Sequence, residues 1–399
     1  MPGLKRGSLD QRRLTTANAT TPPGLRPLVT VGTDEASNLL IHGDNLGAMD
    51  ALLRGTAGVS SLRGAVKLCY LDPPFNTGER FGHYDDSADT ALWLAALRER
   101  LLRVRDLLRT DGSVWLHLDD SEQHHGRCLL DEVFGRAAFV STIIWQKRSS
   151  RDNRTAFSST HDYLHVYAPA GAKQWKSVRN GMPDTGSFVN PDNDPRGPWR
   201  SVPLSAQSGH GTPSQFYTVV SPTGMKHDPP PGRCWTYTAA RFGQLIEEGR
   251  IYWPRNGDGR PRLKRFAFEV TGLAPSTLWL AEDVGDNAIA KKELLRLFPT
   301  RQTVFETPKP EQLMQRILHI GSNPGDVVFD CYLGSGTTAA VAHKMGRHWV
   351  GIEAIKRTVL ETSLPRLRHV VEGTGVEGTG DGTISGWRGG GGFTFYETH

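Results

Sequence analysis

Cysteine is scarce in this 399-residue chain, and its four copies, Cys69, Cys128, Cys234 and Cys331, stand far apart with no C-x-x-C pair. That spacing argues against a disulfide-framed secreted fold and against a zinc-ribbon type of metal site, and it points to a reducing compartment, the cytoplasm. No apolar run approaches the roughly 18–20 residues that a membrane-spanning helix needs, so no membrane partner is expected. The N-terminus carries Lys5, Arg6, Arg12 and Arg13 and then Thr and Pro, without an apolar segment of the secretory kind. Residues 1–30 are therefore expected to be a flexible leader. A strong charge of one sign is also missing. The formal net charge of +5 is mildly basic, which suits a polyanion without specifying one. His124-His125 has no i, i+4 partner, so no metal is expected.

What is present is α/β alternation. Short apolar runs at 39–41 and 66–71 stop at polar or Pro-containing turns, as buried parallel strands do. The stretch 90–108 has helical period, 113–118 reads as a strand, Asp120-Ser121-Glu122 as a helix start, and 143–145 and 163–167 as further strands. From about 171 to 299 Pro, Gly, Asn and Trp become frequent and periodicity fades, the mark of an inserted loop-rich module. Within it Arg255, Arg260, Arg262, Lys264 and Arg265 surround the turn Asn256-Gly257-Asp258-Gly259, as either a solvated loop or a polyanion contact. Trp199, Trp235 and Trp253 are core or ligand-facing. The alternation resumes with 309–320 (helix), 327–329 (strand), 337–345 (helix) and 348–352 (strand). The domains expected are thus 31–170 with 300–370 as one sheet, 171–299 as the insertion, and 371–399 as a Gly-rich tail in which 393–396 can add an edge strand.

Three strips carry chemistry. Val327-Val328-Phe329-Asp330 leads into Gly334-Ser335-Gly336-Thr337, a strand, a glycine turn and a helix start that let backbone approach a ligand. A phosphate loop is excluded because no Lys follows the second glycine, and a dinucleotide fingerprint is weakened by Ala339 at its third glycine. One strand later, Glu353 ends His348–Ile352, where a carboxylate can accept from ribose hydroxyls. Together they point to an adenosine-containing cofactor. The third strip is Asp72-Pro73-Pro74-Phe75. Two prolines fix φ and remove backbone donors, leaving Asp72 and nearby carbonyls as rigid acceptors that suit an amine. The amine of adenine is a poor nucleophile; hydrogen bonds from its N–H groups to Asp72 and a carbonyl near Pro73 favour attack on the methyl of a sulfonium, while Phe75 can stack on an extruded base. Read alone, the strip is only a proline turn with a capping Asp.

These residues resemble the amino-methyltransferases of DNA, in the class whose catalytic motif precedes the cofactor motif, and most closely the modification subunits of type III restriction systems. Asp72-Pro73-Pro74-Phe75-Asn76-Thr77-Gly78 resembles their D-P-P-Y/F-N-T-G element, His161-Asp162-Tyr163-Leu164 their H-[DE]-Y-[IL] strand, and Thr307-Pro308-Lys309-Pro310 their P-K-P helix start. The resemblance implies a Rossmann-like α/β sheet with helices on both faces, circularly permuted motif order and an inserted target-recognition region. It implies S-adenosylmethionine as cofactor and double-stranded DNA as partner, with methyl transfer to adenine N6 by base flipping. Asp72, Pro73, Pro74 and Phe75 would then be catalytic. Asp44, Asp72, Thr307, Lys309, Asp330, Gly334, Ser335, Gly336, Thr337 and Glu353 would line the cofactor site, and the Arg255–Arg265 cluster would bind DNA. The chain departs from the family at Cys331-Tyr332, where Pro-Phe is commoner, and at His117, where Ser is frequent.

An Asp before Pro-Pro favours adenine, with cytosine N4 as the alternative on the same chemistry. Methylation of RNA or of a glutamine side chain is disfavoured by Asp72, where Asn is common, and by the motif order. A catalytically inactive subunit is disfavoured by the intact strips. The resemblance implies a homodimer and allows a nuclease or other defence-system partner, although the chain is short for a type III subunit and a solitary enzyme is equally open.

Overall fold

Val66–Leu71 (β3) is buried at every position, Lys67 included, whose ammonium bonds the Asp111 carbonyl and carboxylate at 2.8 and 2.9 Å. A strand covered on both faces belongs inside a parallel sheet, and that is its place in the computed structural model, which describes residues 24–33, 38–56, 58–76, 89–184, 186–270, 272–301, 305–374 and 387–399. The chain forms two compact units, Met1–Asn180 with Ser276–His399, and Gly181–Pro275.

The first unit is built on β1 (Leu25–Gly32), β2 (Leu39–His42), β3, β4 (Leu108–Leu118), β5 (Phe139–Gln146), β6 (His161–Tyr167), β7 (Leu278–Trp279), β8 (Val327–Asp330), β9 (His348–Glu353) and β10 (Gly392–Thr398). They form one sheet in the order β1-β10-β2-β9-β8-β3-β4-β6-β5-β7. From β10 to β4 all neighbours are parallel; β1 and β6 run against their neighbours. Its helices of eight or more residues are α1 (Asn45–Arg54), α2 (Thr90–Leu107), α3 (Gln123–Phe134), α4 (Gly171–Val178), α5 (Asn287–Leu297), α6 (Glu311–Gly321), α7 (Thr337–Lys344) and α8 (Leu364–Glu372). Leu52, Leu101, Val104 and Leu130 of α1 to α3 pack on Cys69, Leu71, Val114 and Leu116. The opposite face meets α6, whose Gly321 comes so near that a Cβ there would lie 2.5 Å from Leu68. The sheet is thus a mixed α/β sheet covered on both faces, and no helix among the described residues is long and apolar enough to cross a membrane.

Two terminal expectations change. Residues 25–30, expected in the leader, are strand β1; residues 1–23 lie outside the described residues. The strand at 393–396 is not an edge strand, because β1 pairs with its outer side and β2 with its inner side. Its alternation carries no sign of which edge is covered. Residues 375–386 of the tail, and Thr77-Gly78 of the strip, also lie outside the described residues.

The second unit begins ten residues later than composition indicated and ends earlier, because α4 packs in the first unit and 276–299 supplies β7 and α5. Its strands 199–203, 251–252 and 262–266 form one antiparallel sheet, and Leu204, Val219, Trp235 and Phe242 form its core. Trp199 and Trp235 are buried and Trp253 packs against that core, so none of the three is a free aromatic face.

Candidate active site

The parallel strands β2, β3, β8 and β9 all end at one edge of the sheet. Asp44 follows β2 by two residues, Asp72 follows β3 directly, Asp330 closes β8 and Glu353 closes β9. Ligands of open α/β sheets sit in the crevice at such an edge. Here a cavity of about 310 Å³ opens there, lined by Asp44, Asp72, Pro73, Pro74, Phe75, Thr307, Lys309, Asp330, Gly334, Ser335, Thr337 and Glu353. Gly336 does not line it; with φ 82° it caps α7 and serves the turn.

The glycine turn is tied to the strand end by Glu353, whose Oε2 accepts from Gly334 N and whose Oε1 accepts from Ile355 N, both at 2.8 Å. The Ala354 amide also donates to this carboxylate, which still keeps acceptor capacity for a hydroxyl. Burial holds this carboxyl above its ordinary range. At Gly334, φ is 52° and a Cβ would stand 3.1 Å from the Phe305 ring, so a side chain would be strained and would crowd the cavity wall.

Asp330 is buried, and burial is the main reason its carboxyl is pushed up to about 7 from 3.8. The folded state therefore holds more protons than the unfolded chain between those values, and stability falls as pH rises across that window. Glu293 on α5 adds the same sign, pushed up to about 7 by burial and then by the Glu311 charge. Urea unfolding followed from about pH 4.5 to about pH 7.5 is expected to lose this part of its slope in an Asp330→Asn, Glu293→Gln double variant.

The proline strip presents acceptors selectively. Lys309 Nζ donates to Asp72 Oδ2 at 2.5 Å and lies 5.4 Å from the Phe75 ring centre. Asp72 Oδ1 is buried and has no partner among the described residues. Trp93 Nε1 occupies the Pro74 carbonyl at 2.7 Å. No hydrogen bond reaches the Pro73 carbonyl from the described residues. Asn76 follows with φ 56°, and its amide donates to buried Glu122 at 2.8 Å. The carboxyl of Glu122 lies below its usual range because hydrogen bonds from Asn76, His125 and Thr90 together outweigh the effect of burial. The strip is thus held from both ends, with two acceptors open.

Behind it runs a buried chain of polar groups that sequence reasoning missed. Tyr70 Oη meets His117 Nδ1 at 2.7 Å, His117 Nε2 meets Asp162 Oδ2 at 3.2 Å, and Lys147 Nζ donates to Asp162 Oδ1 at 2.6 Å. His117 packs 5.7 Å from Phe75. The one signal was His117 itself, standing where the family more often has Ser. Arg100 was also missed: from α2 it reaches the cavity wall, its Nε donating to Asn45 at 2.7 Å and its Nη2 lying 3.5 Å from Asp44. Nothing in the helical pattern of α2 marks it.

The basic cluster of the second unit divides. Arg255, Arg260 and Arg265 are exposed. Arg262 is half-buried and donates to Ser201 at 2.9 and 3.1 Å. Lys264 is buried in ion pairs with Asp192 and Asp194, which corrects its assignment as a DNA contact: strand pairing with 199–203 turns it inward onto two acids. Among the described residues no group of three or more His, Cys, Asp or Glu could hold a metal.

The fold and crevice define an α/β protein with a ligand cavity at the carboxyl edge of a parallel sheet, its acids spread over four strand ends. Residues 66–362 match the N6/N4 DNA methylase family, and the chain belongs to it. The StyLTI Mod subunit of a type III restriction-modification enzyme from Salmonella typhimurium is 29% identical over 334 residues, covering 76% of this chain and 49% of that protein. The type II methyltransferase M.EcaI from Enterobacter cloacae is 31% identical over 298 residues, covering 72% of this chain and 62% of its own length. The chain therefore spans about half to three-fifths of the length of these relatives. A solved PvuII cytosine-N4-specific DNA methyltransferase matches over 83% of this chain and 86% of its own, with a TM-score of 0.44 at 13% identity.

Proposed function

We propose that the chain transfers a methyl group from S-adenosylmethionine to the N6 amine of adenine in double-stranded DNA, in the cytoplasm. The observation that carries this reading is Asp72 Oδ1, a buried acceptor on the cavity wall that no described residue satisfies, beside the equally open Pro73 carbonyl. An unmet buried acceptor is costly, and an amine with two N–H groups satisfies both oxygens at once.

The cavity residues fit the cofactor. Glu353 would accept from a ribose hydroxyl, Asp44 and Asn45 line the cavity beside it, and the turn at Gly334 would let backbone approach the methionine portion. When bound, the cofactor supplies an electrophilic methyl on a sulfonium. Lys309 fixes Asp72 through Oδ2 and leaves Oδ1 toward the substrate. Asp72 and the Pro73 carbonyl then hold the amine so that its lone pair leaves conjugation with the ring, and Phe75 stacks on the base. Catalysis is orientation in a water-poor site, with no covalent bond to the enzyme. In the transfer the amine nitrogen would gain the methyl as the methyl's bond to the sulfonium breaks and a neutral thioether leaves, and it would give up one proton, which Asp72 would accept.

The second unit is proposed to recognise the target, using Arg255, Arg260 and Arg265 on phosphates or guanine edges. A homodimer and a nuclease or other defence-system partner are further proposals that the relatives support only by kinship. The test is calorimetric titration with S-adenosylmethionine, followed by transfer of tritiated methyl into DNA from a methylation-free host. Saturable binding and incorporation are expected. Binding without incorporation into any DNA would count against the reading.

A further inference from the structure

We propose that the hairpin 147–160, which no motif of the catalytic reading uses, grips duplex DNA beside the target base, with Phe157 entering the base stack. This rests on DNA being the substrate.

β5 ends at Gln146 and β6 begins opposite it at His161, while Leu118, the end of β4, pairs with Tyr163. The hairpin therefore leaves the sheet at the same edge as Asp72. In the strand order its two bases stand two and three spacings from β3, roughly 10–14 Å. At its base Lys147 is tied through Asp162 and His117 to the chain of groups behind Phe75. The hairpin is a structured turn. Asp152 N donates to Ser158 Oγ at 2.8 Å, and Thr155 Oγ1 donates to the carbonyls of Asp152 and Phe157 at 3.1 and 3.0 Å. This frame holds Phe157 outward, 93% exposed, the most exposed of the large apolar side chains among the described residues.

Charge identifies the partner. Between 147 and 160 stand Lys147, Arg148, Arg151 and Arg154 against one acid, Asp152. Arg154 is spent on Asp152, but the exposed Arg148 and Arg151 guanidinium groups make no hydrogen bond or ion pair among the described residues. Arg148 also acts by its charge on the Asp152 carboxyl, but both guanidinium groups stay exposed on the same hairpin as an outward aromatic, which fits a phosphate backbone with an apolar stack between its strands. Extruding a base opens a gap in that stack, and an inserted apolar side chain offsets the lost stacking.

Three variants test this: Phe157→Ala, Phe157→Trp, and the double variant Arg148→Ala, Arg151→Ala. The probes are DNA from a methylation-free host for single-turnover methyl transfer, and a fluorescent mixed-sequence duplex of about 40 base pairs for binding across salt. Phe157→Ala is expected to slow transfer to duplex about tenfold or more, with Phe157→Trp within about twofold of wild type. The double variant is expected to flatten the slope of log K against log salt by about 1.8, that is, about 0.9 for each phosphate no longer neutralised by an arginine. A Phe157→Ala rate equal to wild type, or an unchanged salt slope, overturns the proposal while leaving the methyl-transfer reading intact. A wild-type protein that neither binds the duplex nor labels DNA overturns that reading and takes this proposal with it.

Discussion

Asp72→Ala is expected to lower methyl transfer by about 10³-fold or more, roughly 4 kcal/mol of transition-state stabilisation, while S-adenosylmethionine still binds. The size follows from what the carboxylate does. Its Oδ1 is the buried acceptor that an amine must find, and its Oδ2 is engaged by Lys309 at 2.5 Å. Removing it takes away the group that reorients the amine and leaves the Lys309 ammonium, 11% exposed at its side chain, without its carboxylate. Asp72→Asn separates these effects: it keeps one carbonyl oxygen but sets an amide, without charge, against Lys309. Its loss is expected to be severe yet smaller than that of the alanine variant. Rates come from single-turnover incorporation and affinity from calorimetry. An affinity that collapses in step with the rate would make Asp72 a cofactor ligand instead.

Glu311→Ala is expected to cost about 3–5 kcal/mol of folding stability, read by urea unfolding near neutral pH. The Glu311 carboxylate receives Lys344 Nζ at 2.9 and 2.7 Å and Arg366 Nη2 at 3.0 Å. Side-chain exposures are 8% for Glu311, 1% for Lys344 and 2% for Arg366, so two cations would be left buried without their acid. Burial alone would raise the Glu311 carboxyl; the charges of Lys344 and Arg366 outweigh it and hold it below the usual range. The effect reaches the cofactor turn, because Arg366 Nη1 donates to Thr337 Oγ1 at 2.7 Å. Cofactor affinity is expected to fall with stability. Glu293 nearby can ionise more easily once Glu311 is gone, so the Glu293→Gln, Glu311→Ala double variant should lose more than Glu311→Ala alone. A loss below about 1 kcal/mol for Glu311→Ala would mean that water reaches the triad.

What could be read in advance followed from local rules. Strand ends, the glycine turn, and the acids at 72, 330 and 353 are visible because a buried strand followed by a turn prints its own boundary, whereas Asp44 comes from the family resemblance alone. What escaped depends on distant pairing. Lys309 reads as a cofactor-side residue of the P-K-P start, yet its ammonium meets Asp72, 237 positions earlier. Lys264 looks like one more cation in a basic turn, and only folding brings Asp192 and Asp194 to it. The chain Tyr70, His117, Asp162 and Lys147 joins four strands' ends or flanks across the sheet, a relation set by register. β1 escaped because its outer residues are exposed and its neighbour, β10, lies at the far end of the sequence.

The most direct test of the account is the modified nucleoside. DNA from a methylation-free host expressing the chain would be digested to nucleosides and analysed by mass spectrometry, beside DNA from cells expressing Asp72→Ala. N6-methyl-2′-deoxyadenosine with the wild-type chain and none with the variant is the predicted result. N4-methylcytosine in its place would contradict the adenine assignment, and an equal yield from Asp72→Ala would contradict the role given to the strip.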